Sequence, residues 1–398
     1  MAAPAAAAGL VQDPLLVLAY LAALVAVVFQ VARLGALRPV FDRLPALVWT
    51  YFLPMLSTTA GILPAESSVY RALARYLLPA SLALLLLSSE LKAIARLGRT
   101  ALVVMTVGMI GIMLGGVAGF LLLRPWLPAE AWKAVGALVA TWIGGSANLI
   151  AVANALSLSP ELQGVLIIVD TVVAYTWMGF LISFAARQDA FDRWNGADRA
   201  AVDGVGARLA ARQERKVRVP TVGDLTLMVG LAVVLTAVCL KVGSLLPPVG
   251  QVLNAFSWAI ILLTTAALLL SLTPLARLEE AGASTVGYAG FYLLLASVGA
   301  QGDLRKVVTN PQFILLGVIV IVVHALVLFA ALRVLRAPLF FFGAASQACV
   351  GGYSSAPLVA AIYQPAMAPV GLLLAVLGNV VGTYLGLAVA QGLSGLAT

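Results

Sequence analysis

The sequence predicts an all-α, polytopic membrane protein of about twelve transmembrane helices in two structural repeats, and three observations carry that prediction. Hydrophobic residues make up 62% of the 398-residue chain, charged residues 10%, and the mean hydropathy is +1.06. A soluble domain has roughly a quarter of its residues charged, so this composition cannot build a water-facing surface. Apolar windows of about 20 residues, the length that crosses a bilayer, recur along the whole chain. Short segments of the first half return, in the same order, in the second.

In chain order, an Ala-rich segment at 1–13 lacks the basic start of a secretory signal and reads as a short disordered tail. Apolar windows then fall at 14–32, 46–63, 70–89, 101–123, 133–156 and 162–186 and make a first repeat, 14–186. The polar stretch 187–221, with eight basic and five acidic side chains, is the one long loop and a linker. Windows at 222–240, 251–272, 283–300, 312–333, 337–362 and 369–391 make a second repeat, 222–398.

Residues back the repeated rhythm. LLLLSSELKAIARLG from Leu84 resembles LLLASVGAQGDLRKV from Leu293. GGSANLIAVANAL from Gly144 resembles GGYSSAPLVAAI from Gly351, and DTVVAY from Asp170 resembles NVVGTY from Asn379. Twelve full crossings would make the halves parallel, whereas transporters with broken helices have inverted repeats, so one window is open to a non-spanning reading. Outside the linker, basic residues divide nearly evenly between the two faces and do not fix orientation.

The +8 formal charge does not point to nucleic acid, because Lys and Arg sit in short clusters between apolar runs, where anionic lipid explains them. Cys239 and Cys349 lie in apolar windows with no metal-type spacing and read as buried small hydrophobes. Trp126 and Trp132, near window ends, fit an interfacial aromatic belt.

Two glycine-and-hydroxyl breaks at matched places are the most informative segments: TWIGGSANL, with Gly144, Gly145, Ser146 and Asn148, and ASQACVGGYSSAP, with Gln347, Gly351, Gly352, Ser354 and Ser355. Adjacent glycines release the backbone from helical geometry, and the residues before Pro357 resist helix. The freed groups cannot face lipid. Lining a wet cavity, half-helix N-termini attract anions, while carbonyls and side-chain oxygens can hold Na⁺. Close helix packing by small residues is the plainer alternative for either break alone.

Asp170 lies near the middle of an apolar window, where an ionised carboxylate costs at least about 2.5 kcal/mol. It is a candidate proton carrier or cation ligand, with Thr171 and Asn148 as candidate neighbours; a neutral, hydrogen-bonded Asp is the structural alternative. Asn379 holds the matched place in the second half. A Na⁺ site near Asn148, Asp170 and Ser354 is the metal expectation. His324, alone in an apolar window, reads as a neutral packing residue. Glu90 and Asp303, beside Lys92, Arg96, Arg305 and Lys306, read as interfacial caps.

The chain has no GxxxxGK[ST] loop, no HExxH or clustered His/Cys set and one histidine, so ATP-driven pumping and triad hydrolysis are excluded and no enzyme is expected. No regular arginine ladder suggests a voltage sensor, and no TVGYG-like filter suggests a potassium channel.

At ATWIGGSANLIAVANAL, LIIVDTVVAYTWMGFLISFAA, FDRWNGADR, YLLPASLALLLLSSELKAI and GGYSSAPLVAAI, the sequence closely resembles the integral membrane family termed domain of unknown function 819, or YjcL-like, over nearly its whole length. More distantly it is similar to the cation/proton antiporter and bile-acid/sodium symporter group. That resemblance implies inverted repeats with crossed discontinuous helices, and a core, holding Gly144, Asn148, Asp170, Gly351, Ser354 and Asn379, that moves elevator-like against a scaffold begun by Pro14 and Thr221. It further implies a homodimer in the cell membrane.

The combined expectation is an ion-coupled secondary transporter of a small, anionic organic solute, with Na⁺ or H⁺ as coupling ion and no other cofactor. Cation/proton exchange through Asp170 and a non-transporting sensor or assembly partner docking through the linker are the alternatives.

Overall fold

In the computed structural model of the chain, the described residues are 9–43, 46–87, 89, 97–197, 218–249, 253–302, 310–364 and 367–396. Among them the secondary structure is helical, with no strand beyond one isolated bridge between Val249 and Leu253. The first half contains α1 (Pro14–Val31), α2 (Ala46–Thr59), α3 (Ser68–Leu87), α4 (Arg99–Leu123), α5 (Ala131–Gly144), α6 (Ser146–Ala155) and α7 (Pro160–Ala185). A short amphipathic α8 (Gln188–Asn195) starts the linker. The second half contains α9 (Val222–Gly243), α10 (Ala255–Leu270), α11 (Ala283–Gly299), α12 (Gln312–Leu335), α13 (Leu339–Val350), α14 (Gly352–Tyr363) and α15 (Ala368–Ser394).

Seven helices among the described residues are long and apolar enough to cross a membrane, or eight if α10 and the Pro274–Ala281 helix, bent by 92° from it, form one span. The protein is a multi-pass membrane protein. Several helix N-termini carry side-chain caps: Asp13 accepts from the Leu16 amide, Thr221 and Asp224 form a capping box, and Asn254 accepts from the Phe256 and Ser257 amides.

The two broken windows fold back on themselves. Lys133, in the first turn of α5, reaches the Ser157 carbonyl just after α6 at 3.5 Å, and α5 and α6 pack along each other. Tyr363, the last residue of α14, lies against Gly343 near the start of α13. Both pairs are therefore re-entrant hairpins with tips at Gly144–Ser146 and Val350–Gly352, not helices that cross the bilayer and each other. Gly145 at φ +88° and Gly352 at φ +60° supply the left-handed residues that let the chain reverse.

The hairpins enter from opposite faces. The first has its base where α7 begins, since Pro160 follows Ser157 within three residues. The second has its base where α7 ends: the Leu339 amide donates to Asp192 at 2.8 Å, and the Tyr363 hydroxyl donates to the Leu181 carbonyl at 2.8 Å. The face holding α7's end and α8 is the linker face.

Segments matched in sequence run in opposite directions. On α4 and α12, Gly108 faces His324 and Leu328, Gly115 faces Val320, and Gly119 faces Leu316. On α3 and α11, Gly287 meets Leu84 and Leu85 while Gly290 meets Leu77 and Ser81. Contacts are also exchanged: α2 packs on α11 as α10 packs on α3, and α5 packs on α15 as α13 packs on α7. The α5–α15 contact is close because Gly136, Ala140, Gly382 and Gly386 face one another, the small-residue packing that membranes favour.

These contacts sort the helices into two groups. A frame contains α1, α2, α3, α9, α10 and α11; a core contains α4 to α7 and α12 to α15 with both hairpins. α10 begins beside the first hairpin's base, because Asn254 donates to the Ala155 carbonyl at 2.9 Å, so the Pro274–Ala281 helix and the start of α11 lie at the linker face.

Several expectations change. Instead of a disordered tail up to Leu10, the chain from Gly9 is packed: the Leu10 and Val11 amides donate to Gly61 and Ile62 carbonyls at 3.0 Å. Trp126 is exposed, but Trp132 is buried on the inward side of α5 and is no belt residue. Glu90, Lys92, Arg96, Asp303, Arg305 and Lys306 lie outside the described residues. Cys239 and Cys349 are buried free thiols, and Cys349 meets the Met105 sulfur at 3.8 Å.

Candidate functional site

The hairpin tips meet beside the middle of α7. Asp170 lies about 15 Å along α7 from Pro160, which is half of a bilayer core about 30 Å thick. A cavity of about 700 Å³ opens there between core and frame. The core contributes Gly144, Gly145, Ser146, Asp170, Thr171, Gln347, Gly351, Gly352, Ser355 and Asn379 to its lining, so ten of the twelve residues predicted from sequence come together. The side chain of Ser354 lies outside the described residues.

Asn148 is the twelfth, and it sits behind the cavity. Fully buried, its amide donates to the Gly144 carbonyl at 2.7 Å and to Asn379 Oδ1 at 2.7 Å, and its oxygen accepts from the Thr383 hydroxyl. By these bonds Asn148 commits its amide nitrogen and one lone pair of its oxygen to the core. Its role is to tie the first tip to α15, which corrects its expected place beside Asp170. Gly144 is part of the same tie, because a Cβ there would collide with the Asn148 amide.

Asp170 is instead held by the tip's preceding turn. Trp142 Nε1 donates to Oδ1 at 2.8 Å, and the Thr141 hydroxyl reaches Oδ2 at 3.5 Å. Both partners are neutral, so the carboxylate gains orientation without a counter-charge. Trp142 and Thr141 were not singled out from sequence, although a fully buried indole requires a partner for its N–H and stands two residues from the break. The Thr171 hydroxyl is spent on the Ile167 carbonyl at 2.7 Å.

At the second tip, Gln347 Nε2 donates to Ser355 Oγ at 2.7 Å, while Gln347 Oε1 is buried without a hydrogen-bond partner. A buried acceptor of this kind calls for a water or a ligand atom that donates or carries positive charge. The helices α6 and α14 begin at the tips, so their positive dipole ends bear on the cavity, although the Asn148 backbone amide is already taken by the Gly145 carbonyl at 3.0 Å. The ends of α5 and α13 bring carbonyls of opposite polarity to the same place.

The frame contributes Leu47, Val48, Leu85, Ser89, Glu279, Ser284, Tyr288, Phe291 and Tyr292. Leu47, Val48, Leu85, Ser89, Ser284 and Tyr288 lie at or beside the linker-face ends of α2, α3 and α11, Glu279 in the Pro274–Ala281 helix, and Phe291 and Tyr292 near the middle of α11, so the cavity extends from mid-depth toward that face. Toward the other face the core rests on the frame through Asn254 and Ser257, whose side chains donate to the Ala155 carbonyl at 2.9 and 3.2 Å, and through the Tyr51 hydroxyl, which donates to the Pro160 carbonyl at 2.5 Å.

His324 lies away from the cavity as a fixed joint of the core. The Gly108 carbonyl can only accept, which assigns the proton to Nδ1 at 2.9 Å; Nε2 then accepts from Ser346 at 2.9 Å, and Ser346 accepts from Trp177 Nε1 at 2.8 Å. This neutral chain pins α13 to α4, α7 and α12. At the first hairpin's base, Glu130 pairs with Lys133 at 2.9 Å. Burial pushes its carboxyl up, but Lys133 and Ser159 pull harder and hold it below the usual range.

The chain is 29% identical over 351 residues to the uncharacterized membrane protein YjcL of Bacillus subtilis (strain 168), covering 83% of this chain and 86% of that protein. A family model described as protein of unknown function, DUF819, matches residues 18–396, and the chain belongs to that family.

Proposed function

We propose that this protein is an ion-coupled secondary transporter of a small organic solute with an anionic group, working by movement of the core against the frame. One observation carries the reading: two re-entrant hairpins enter from opposite faces and meet at mid-depth, in a largely apolar cavity with polar side chains at the tips, whose walls belong to two separately packed helix groups. A fixed pore would not need the two groups. A site shared between them changes its access when one slides past the other.

The antiparallel run of α4 with α12 and of α3 with α11 supports an inverted duplication of five crossings and one hairpin. An odd number of crossings per half makes the halves inverted, which removes the conflict posed by twelve crossings. In this reading the coupling cation, Na⁺ or H⁺, is taken by Asp170 with Gln347 Oε1 nearby in the lining, and the solute's anionic group meets the N-termini of α6 and α14. Cation bound first neutralises the acidic lining and so favours the anion, which is coupling.

Cation/proton exchange is the second reading, favoured by the neutral hydrogen-bond partners of Asp170, which leave its charge to be balanced by an ion or a proton. Purified protein in liposomes, wild type against Asp170→Asn, separates the cases. Saturable ²²Na⁺ uptake or pH-gradient dissipation, lost in the variant, supports transport through this site; flux that needs no organic solute selects exchange. Unchanged flux in Asp170→Asn contradicts both.

A further inference from the structure

The frame side of the cavity carries chemistry that an anionic solute and its coupling ion do not use. Tyr288, Phe291 and Tyr292 line it together, with ring centroids 6.5 Å apart for Tyr288–Phe291, 6.3 Å for Tyr288–Tyr292 and 5.9 Å for Phe291–Tyr292. Phe29 backs Tyr292 edge-on at 4.7 Å, so the wall is braced from α1. Glu279 lies at the same wall, held by the Ser284 amide at 2.9 Å and the Ser284 hydroxyl at 2.8 Å.

No Lys, Arg or His is among the described residues lining the cavity, whereas two carboxylates, Asp170 and Glu279, are. With Asp170 taken by the coupling cation, a solute with negative charge alone would still face Glu279 and gain nothing from the aromatic faces. Ring faces attract a cation whose hydration is weak, above all an alkylated ammonium, and a carboxylate beside them adds to that attraction. Na⁺ and H⁺ do not make use of such a wall, since Na⁺ takes hard oxygen ligands and H⁺ a titrating group.

Resting on the transporter reading above, we infer that the solute is a small zwitterion, its alkylated ammonium held against Tyr288, Tyr292 and Glu279 on the frame, with buried Phe291 behind the tyrosines, and its carboxylate at the two hairpin tips on the core. Such a solute touches both helix groups at once. Its two charges match the two walls, which neither a simple anion nor a simple cation does.

The test uses the full chain in lipid nanodiscs at saturating Na⁺, with three probes: glycine betaine, its carbon isostere 3,3-dimethylbutyrate, which keeps shape and carboxylate but lacks the positive charge, and choline, which lacks the carboxylate. Calorimetric titration is expected to show glycine betaine bound at least about tenfold more tightly than either. Tyr288→Leu, Tyr292→Leu and Glu279→Gln are expected to shrink that preference, and Tyr292→Phe to keep it. Equal or tighter binding of 3,3-dimethylbutyrate, or no binding of glycine betaine, overturns the zwitterion assignment. Uptake of 3,3-dimethylbutyrate with Na⁺ in liposomes would then still support the transporter reading, whereas absence of any Na⁺- or pH-dependent flux would sink that reading as well.

Discussion

Asn254 holds the first hairpin and the frame together: its amide donates to the Ala155 carbonyl at 2.9 Å while its oxygen accepts from the Phe256 and Ser257 amides at 2.9 Å each. One side chain thus caps α10 and ties it to the end of the first hairpin, on the side opposite the linker. In a transporter whose core slides against its frame, that contact belongs to one end state.

Cap and latch can be separated. Asn254→Asp keeps the acceptor that caps α10 and loses the donor to Ala155, whereas Asn254→Ala loses both. We expect Asn254→Ala to lower stability by about 0.5–2 kcal/mol, measured by thermal unfolding in detergent, and Asn254→Asp to lower it less. Both should raise maleimide labelling of a Ser146→Cys reporter from the face opposite the linker. Unchanged labelling in both would show that this contact does not gate access.

Two hairpins and ten crossings place the Gln12 segment and the linker on opposite faces; twelve crossings place them together. On the proposed ten-crossing path, 17 of the 24 Lys and Arg residues of the sequence would fall on the linker side, and the positive-inside rule then predicts that side to be cytoplasmic. Gln12→Cys should therefore label with an impermeant reagent in intact cells, and Asp189→Cys only after permeabilisation. Labelling of both from one side would restore twelve crossings.

The buried Asn148–Asn379–Thr383 set should be costly to break. Asn148→Ala strands the Thr383 hydroxyl and the Asn379 oxygen in the core, and each orphaned group costs about 1–3 kcal/mol. We expect a lowered unfolding temperature together with loss of flux, and a milder loss for Thr383→Val, which removes one bond. A stable, active Asn148→Ala would show that the tip needs no such tie.

The Glu130–Lys133 pair gives a pH signature outside the bilayer core. Because the folded-state carboxyl lies below its ordinary value, the pair's contribution is present at neutral pH and is lost as pH falls through the carboxylate range. Its partial exposure limits the effect to about 0.2–1 kcal/mol. Glu130→Gln should flatten that part of the stability–pH curve; an unchanged curve would assign the slope elsewhere.

Much of the site was legible in the sequence because membranes make polar residues conspicuous. Asp170, Gln347, Asn379 and the two Gly-Gly breaks stand out against apolar neighbours, and the structure gathers them around one cavity. The shape of the breaks was not legible. A run of about 25 residues, such as 339–363, suits one broken crossing of about 30 Å as well as two short arms. What decides is tertiary: Lys133 meeting Ser157, Tyr363 meeting Gly343, and a left-handed glycine at each tip. The aromatic wall was equally silent, because Tyr288, Phe291 and Tyr292 look like any span residues until α11 is turned toward Glu279 and the tips. Asn148 was misplaced because spacing alone cannot tell the cavity side of a tip from its rear.

Alternating exposure of the hairpin tips is the central claim, and a single cysteine at Ser146 tests it most directly. In a Cys239→Ala, Cys349→Ala background in oriented proteoliposomes, the account predicts that Ser146→Cys reacts with an impermeant maleimide added on either face, never with both routes open at once, and that cross-linking the core to the frame restricts labelling to the linker face. Labelling from the linker face alone, unaffected by that cross-link or by Na⁺, would contradict it.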